Sequence, residues 1–178
     1  MKYFKGITVT IAALLFVLVT QAAAQSTQVG AQSSTGALVN RFHGTWQGDG
    51  KTLGMNARLQ LKWEPVLGNK FVRLSLRNEM SAAGGKTQVF EGHAYYQRVE
   101  RGGETRYEAR WFDSRGLSFP INAQVDGESL VAQWGSPETE QGKSVYRLIE
   151  PGKMEVVDWV KQKDGAWKEF GRSVVVRE

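Results

Sequence analysis

The chain has 178 residues, with 23 Lys and Arg against 18 Asp and Glu, and it contains no cysteine. The absence of cysteine excludes disulfides, thiolate nucleophiles, cysteine-ligated zinc and iron–sulfur clusters. The formal charge of +5 includes Lys2 and Lys5, which lie in a predicted leader, so the mature charge is two lower, at +3. The other basic residues alternate with acids, a pattern that excludes a nucleic-acid-binding stripe.

Residues 1–24 are predicted to be a signal peptide. Lys2 and Lys5 precede an apolar run from Ile7 to Val19, and Ala22–Ala24 form a small-residue exit. An apolar run of about a dozen residues is too short to cross a bilayer core of roughly 30 Å as a helix. We therefore expect cleavage after Ala24, export to the periplasm or the medium, and no stable membrane insertion of the mature chain.

Residues 25–37 are rich in Ser, Gln, Gly and Thr and offer little to bury. We expect them to form a flexible lead-in to the folded domain. A short helical turn is predicted from Ala37 to Arg41. The folded domain itself is predicted to span residues 38–178.

From Phe42 onward, apolar residues recur at every second position, with turn residues about every eight to twelve positions. The clearest example is the segment from Met55 to Glu64, in which apolar and polar residues alternate strictly. The predicted strands are Phe42–Leu53, Met55–Glu64, Phe71–Glu79, Val89–Glu100, Thr105–Asp113, Leu117–Val125, Ser129–Gly135, Lys143–Glu150, Met154–Lys161 and Trp167–Val176.

Ten short strands in one domain predict an all-β fold that removes its exposed edges. Almost all of the connections are as short as hairpins, whereas a Greek-key sandwich needs a long crossing connection. We therefore predict a ten-stranded antiparallel up-and-down β-barrel. In its opening strand, Gly44, Gly48 and Gly50 allow a sharp bend, and Trp46 is expected to fill the base of the barrel.

Several segments together resemble a bacterial lipocalin-like domain family of unknown function, which is distantly similar to nitrobindin and fatty-acid-binding-protein barrels. The resemblance covers residues 38–178 and implies a calycin-type barrel. The segments that carry it are Gly44–Gly48, Trp63–Gly68, Phe90–Gly92, Trp111–Gly116 and Gly142–Arg147.

The resemblance to nitrobindins would imply haem held by a histidine near the C-terminus. This chain departs from that pattern, because its only histidines are His43 and His93 and the last two predicted strands contain none. No His-x-His or His-Glu-x-x-His spacing occurs either. We therefore expect no haem, no metal and no other cofactor.

The aromatic residues are the most informative candidates for a binding site. Core filling accounts for most of them, but a barrel of this size can also hold one small ligand in an aromatic-lined interior. The tryptophans predicted to line such a wall are Trp63, Trp111, Trp134 and Trp159.

Two strands offer polar anchors for a ligand. Arg73 and Arg77 could grip a carboxylate if their face pointed inward, although burial of the opposite face, with Leu74 and Leu76, would remove more apolar surface. The next strand carries Glu91, His93 and Tyr95 on one face, and neither of its faces is plainly the buried one.

The leading hypothesis is an exported barrel, a monomer or weak dimer, that encloses a small hydrophobic or amphipathic ligand. One alternative is an enzyme that uses acid–base chemistry at His93 with Glu91 or Asp113. Another is a structural or interaction protein with a filled core and a sticky exterior.

Overall fold

A computed structural model describes residues 38–82 and 84–178 of the protein. The predicted signal peptide and lead-in lie outside the described residues. Residues 38–42 form a single helical turn, which is followed by ten strands. The strands are β1 (Gly44–Thr52), β2 (Met55–Val66), β3 (Phe71–Ser81), β4 (Gln88–Arg101), β5 (Glu104–Asp113), β6 (Ser118–Asp126), β7 (Ser129–Gly135), β8 (Gln141–Glu150), β9 (Lys153–Lys161) and β10 (Trp167–Arg177).

The ten strands form a closed antiparallel barrel. Each strand pairs with the next along the chain, and β10 pairs back with β1. Gly48, for example, lies opposite Leu59 of β2 on one side and Val175 of β10 on the other. The predicted fold class, an up-and-down barrel of ten strands, is confirmed.

The two-residue alternation separates an apolar interior from a charged exterior. In β2, Ala57, Leu59 and Leu61 are buried, whereas Arg58 and Lys62 between them are exposed. Burial of apolar surface contributes roughly 25 cal/mol per Å², so a one-residue slip in register would expose this whole set and be strongly disfavoured.

Aromatic side chains fill the end of the barrel at which β1 begins, which we call the closed end. Trp63 lies at its centre, with ring centroids 5.4 Å from Phe42, 5.5 Å from Tyr96 and 5.1 Å from Tyr146. Trp46 is fully buried beside this group, and its indole Nε1 donates a 2.7 Å hydrogen bond to the Phe42 carbonyl oxygen. The helical turn is thereby fixed across the closed end as a cap.

The junction between β1 and β10 depends on glycine. A Cβ atom at Gly48 would lie 2.0 Å from the Val174 carbonyl oxygen, and one at Gly50 would lie 2.1 Å from the Arg172 carbonyl oxygen. Both obstacles are backbone atoms, which cannot rotate away. The absence of side chains at these two positions therefore lets β10 approach closely enough to close the sheet.

Within the described residues, no helix combines the length and the apolar character needed to cross a membrane.

We predict that Gly48→Ala lowers the free energy of unfolding by more than about 3 kcal/mol, because the new methyl group meets backbone. Gly171→Ala is the matched control on β10. Its Cβ would first meet the Asp158 side chain, at 3.2 Å, and that carboxylate can shift. Urea denaturation of the two variants measures the difference. Equal stability of the two variants would contradict the assignment of Gly48 to barrel closure.

Candidate functional site

The other half of the interior, which we call the open end, has a different lining. Its walls carry Thr52, Asn78, Trp111, Trp134 and Asp158, all on strand positions that face inward. All of them except Asn78 are partly exposed, although they point into the barrel. Inward-facing groups that remain accessible indicate space above the aromatic filling of the closed end.

Two tryptophans lie flat against the wall of the open end because glycines lie beneath them. A Cβ at Gly92 would be 2.0 Å from the Trp111 indole, and one at Gly142 would be 1.9 Å from the Trp134 indole. Each ring therefore occupies the volume that a side chain would fill on the neighbouring strand. Glycines on the neighbouring strands thus let both indoles lie flat, and the two indoles form an aromatic wall.

Two phenylalanines extend this aromatic wall. Phe90 stacks on Trp111 at 6.3 Å between ring centroids, and Phe119 packs against Trp134 at 5.9 Å. These residues come from β4, β5, β6 and β7, so the aromatic surface covers one side of the open end. A ligand with a flat apolar body would find contact area there.

Asp158 occupies the opposite side of the open end, on β9. A register shift in β10 between Glu169 and Gly171 places Gly171 opposite Asp158. The Ser144 hydroxyl of β8 donates a 2.5 Å hydrogen bond to the Asp158 carboxylate. Within residues 38–82 and 84–178, no lysine, arginine or histidine forms an ion pair with this carboxylate.

Burial raises the pKa of Asp158 from 3.8 to about 6, against the lowering effect of the Ser144 hydrogen bond. The negative charge of Glu169 raises the pKa further. At neutral pH, Asp158 is therefore mostly ionised, and no basic side chain of the described residues compensates its charge.

A row of polar groups continues from Asp158 toward β3. A Cβ atom at Gly171 would lie 3.2 Å from Asp158 Oδ2 and 3.6 Å from Thr52 Oγ1, so these two oxygens border one small notch. Asn78 Nδ2 donates a 3.0 Å hydrogen bond to Thr52 Oγ1. Asn78 is only 8% exposed, and its Oδ1 has no hydrogen-bond partner. The row therefore ends on an unsatisfied acceptor.

Two tyrosines connect the polar row to the closed end. Tyr146 is hydrogen-bonded to Ser144 and to Tyr96. Burial raises the pKa of both phenols, and the negative charge of Asp158 adds to that effect. Both tyrosines are consequently neutral at physiological pH.

Asp113, at the rim of the open end, differs from Asp158 because it has a basic partner, Arg115. Burial alone would raise its pKa, but hydrogen bonds from Arg115 and Trp111 bring the pKa below its ordinary value. Arg115 lies 2.8 Å from Asp113 and 3.4 Å from Glu140, so its positive charge is already compensated. Asp113 is a structural anchor of the rim, whereas Asp158 lacks such a partner.

The structure separates the four tryptophans proposed for the binding wall. Trp111 and Trp134 line the open end, as described above. Trp63 faces inward but is fully enclosed in the aromatic filling of the closed end. Trp159 alternates with Asp158 and points to the outer wall, where Lys143 Nζ lies 4.7 Å from its ring centroid.

Arg73 and Arg77 lie on the outer wall. Arg73 pairs with Glu64, and Arg77 pairs with Glu79 at 3.0 Å and with Glu91 at 2.5 Å. The physical reason is hydrophobic burial: β3 buries its aliphatic face, so its guanidinium groups remain in water. These arginines cannot anchor a carboxylate inside the barrel.

Glu91, His93 and Tyr95 also face outward, because Gly92, Ala94 and Tyr96 are the buried positions of β4. His93 is exposed, and its Nδ1 lies 3.1 Å from the Ser75 hydroxyl. The structure does not bring His93 together with either acid in a pocket: Asp113 is held by Arg115 at the rim, and Glu91 pairs with Arg77 on the exposed outer wall.

The residues present do not fit haem ligation in the open end. His93 is on the outer wall, and His43 lies at the closed end, where burial and the positive charge of Arg177 lower its pKa. No cluster of three potential metal ligands from His, Cys, Asp and Glu occurs in the described ranges.

A polar groove of about 230 Å³ lies along the outer wall of β5, β6 and β7, away from the open end. Its outward-facing lining includes Glu108, Asn122, Gln124 and Gln133. It contains neither the aromatic wall nor the unpaired carboxylate, so the open end is the stronger candidate.

Asp158 should make the protein less stable as the pH rises, because its folded pKa lies above its unfolded value. The folded state holds the proton more tightly, so the stabilisation present below about pH 4 is lost as the pH passes 6. We predict that Asp158→Asn matches the wild type near pH 4 and is more stable by about 3 kcal/mol near pH 8. Urea unfolding at both pH values measures this difference. A pH-independent difference would contradict the assignment.

No protein-family model matches this chain, and no curated protein matches it. Among solved structures, it is similar to the structure titled "Crystal Structure of Rv2717c from M. tuberculosis". The likeness has a TM-score of 0.60 at 13% sequence identity and covers 80% of this chain and 96% of that one. At this identity, the likeness is one of fold, and it supports a ten-stranded antiparallel barrel.

Proposed function

We propose that this protein is a small-molecule-binding barrel that takes a ligand with a flat, apolar body into its open end. The observation that carries the proposal is the placement of Trp111 and Trp134 over Gly92 and Gly142, which keeps indole surface accessible inside the barrel. A barrel whose only task is structural would gain stability by filling this volume with larger side chains.

The two ends of the barrel support this division of roles. The closed end buries Trp46, Trp63 and Tyr96 almost completely, so it gives the fold its core. The open end keeps polar groups beside partly exposed aromatic ones, a combination typical of ligand pockets. We also propose that this barrel is related to lipocalin-like barrels, since such a relationship agrees with this arrangement.

We predict that Ala109→Phe blocks the ligand. Ala109 faces inward between Tyr107 and Trp111 and is partly exposed, so a phenyl ring there enters the open end. The affinity for flat aromatic probes should fall at least about tenfold. Quenching of tryptophan fluorescence measures this affinity. Arg110→Phe, one residue further on the outer wall, is the matched control and should bind as the wild type does. Thermal melts confirm folding of both variants, and Ala109→Leu replaces Ala109→Phe if the latter does not fold.

Unchanged binding in a folded Ala109 variant would exclude the open end as the site. Equal loss in the Arg110 variant would point to a general effect on the outer wall instead. Absence of quenching in the wild type by every aromatic probe would favour a structural or interaction role.

We propose further that the barrel acts outside the cytoplasm. The basis is the sequence of residues 1–24, with Lys2 and Lys5 before the run from Ile7 to Val19. Intact-mass measurement of protein secreted by a bacterial host should give a chain that starts at Gln25. A chain that retains Lys2 and Lys5 and stays in the cytosolic fraction would contradict export.

A further inference from the structure

Within the proposed function, on which this inference rests, we propose that the open end selects an organic cation, a protonated amine carried on a flat aromatic or apolar body. Asp158, Asn78 and Thr52 lie on one side of the open end, and Trp111 and Trp134 lie on the other.

Asp158 supplies the charge that a cation would balance. Its carboxylate accepts one 2.5 Å hydrogen bond from Ser144 and has no basic partner among the described residues. A carboxylate inside a protein needs a counter-charge or several donors to offset its lost hydration. A protonated amine supplies both, because an ammonium group has three donors and no acceptor.

Asn78 is an independent observation that points to a donor-bearing ligand. Its side chain is more than nine-tenths buried, faces the open end, and leaves Oδ1 without a partner. Its Nδ2 is already committed to Thr52 Oγ1 at 3.0 Å. One polar atom of the buried Asn78 amide is therefore left for a ligand to hydrogen-bond.

Gly171 brings the oxygens of Asp158 and Thr52 to one place on the wall. A Cβ atom on Gly171 would lie 3.2 Å from Asp158 Oδ2 and 3.6 Å from Thr52 Oγ1, so both oxygens border the same residue of β10. Together they form one hydrogen-bond-accepting region of the inner wall.

The opposite wall favours the same class of ligand. Indole faces carry negative electrostatic potential and attract cations as well as flat apolar groups. Trp111 and Trp134 present such surfaces inside the barrel. At the rim, the guanidinium of Arg115 is compensated by Asp113 and Glu140, so it does not repel a cation.

The charge of Asp158 depends on pH, and several groups set that dependence. Glu169 on β10 raises its pKa, and Ser144 on β8 lowers it. Tyr146 on β8 and Tyr96 on β4 stay protonated, while Thr52 on β1 and Ser173 on β10 carry no charge. Near pH 6, entry of a cation should therefore drive a proton off Asp158.

The test uses isothermal titration calorimetry on mature protein, from Gln25 onward, with three matched probe series. The three series are built on benzyl, naphthylmethyl and anthrylmethyl groups. Within each series, the same aromatic group carries either an ammonium, a hydroxyl or a carboxylate group. We expect each ammonium probe to bind at least about tenfold more tightly than the alcohol of the same body near pH 8, and the carboxylate to bind most weakly. Near pH 6, ammonium binding should release a proton, measured in buffers that differ in ionisation enthalpy.

Asp158→Asn should weaken ammonium binding at least about tenfold, leave alcohol binding within about threefold, and abolish the proton release. Glu91→Gln on the outer wall is the matched acid-to-amide control and should change neither.

The outcomes separate the two proposals. If the three head groups bind with equal affinity, and Ala109→Phe abolishes the binding of all of them, the cation inference is overturned and the binding proposal stands. The same conclusion follows if the carboxylate probes bind most tightly. No binding of any probe to the wild type would overturn both.

Discussion

Pairing of β10 with β1 closes the sheet and creates the interior of the barrel. The closure requires Gly48 and Gly50, since backbone atoms of β10 occupy the space where their side chains would be. Once the sheet is closed, every second residue of each strand faces a common interior. That geometry turns Asp158, on an otherwise apolar stretch of β9, toward the interior of the barrel.

The interior is divided by side-chain size. Large aromatic residues, above all Trp46 and Trp63, fill the closed end and supply the core. Glycines beneath Trp111 and Trp134 flatten the wall of the open end. The core thus lies at one end of the barrel, and the polar row from Asn78 to Asp158 lies at the other, where we propose that a ligand binds.

The sequence predicted the fold closely and the site only in part. Strict alternation in β2 and hairpin-short connections were enough for the barrel, and the aliphatic face of β3 indicated why Arg73 and Arg77 point outward. The inward position of Asp158 was not predicted, because Asp158 lies between Val157 and Trp159, where apolar residues on both faces hide the alternation. A lone acid in such a run, beside the serine of a neighbouring strand, was the available signal, but register was needed to pair it with Ser144.

Among the described residues, no basic side chain compensates the Asp158 carboxylate, which lies on the inner face of the barrel. Carbon-13 NMR of the aspartate carboxyl groups, with the Asp158 resonance assigned by its absence in Asp158→Asn, measures the pKa of this carboxyl group. We expect this one resonance to titrate near pH 6, well above the ordinary 3.8. Titration of Asp158 at or below 3.8 would reveal a cationic partner or full hydration and would exclude an uncompensated carboxylate.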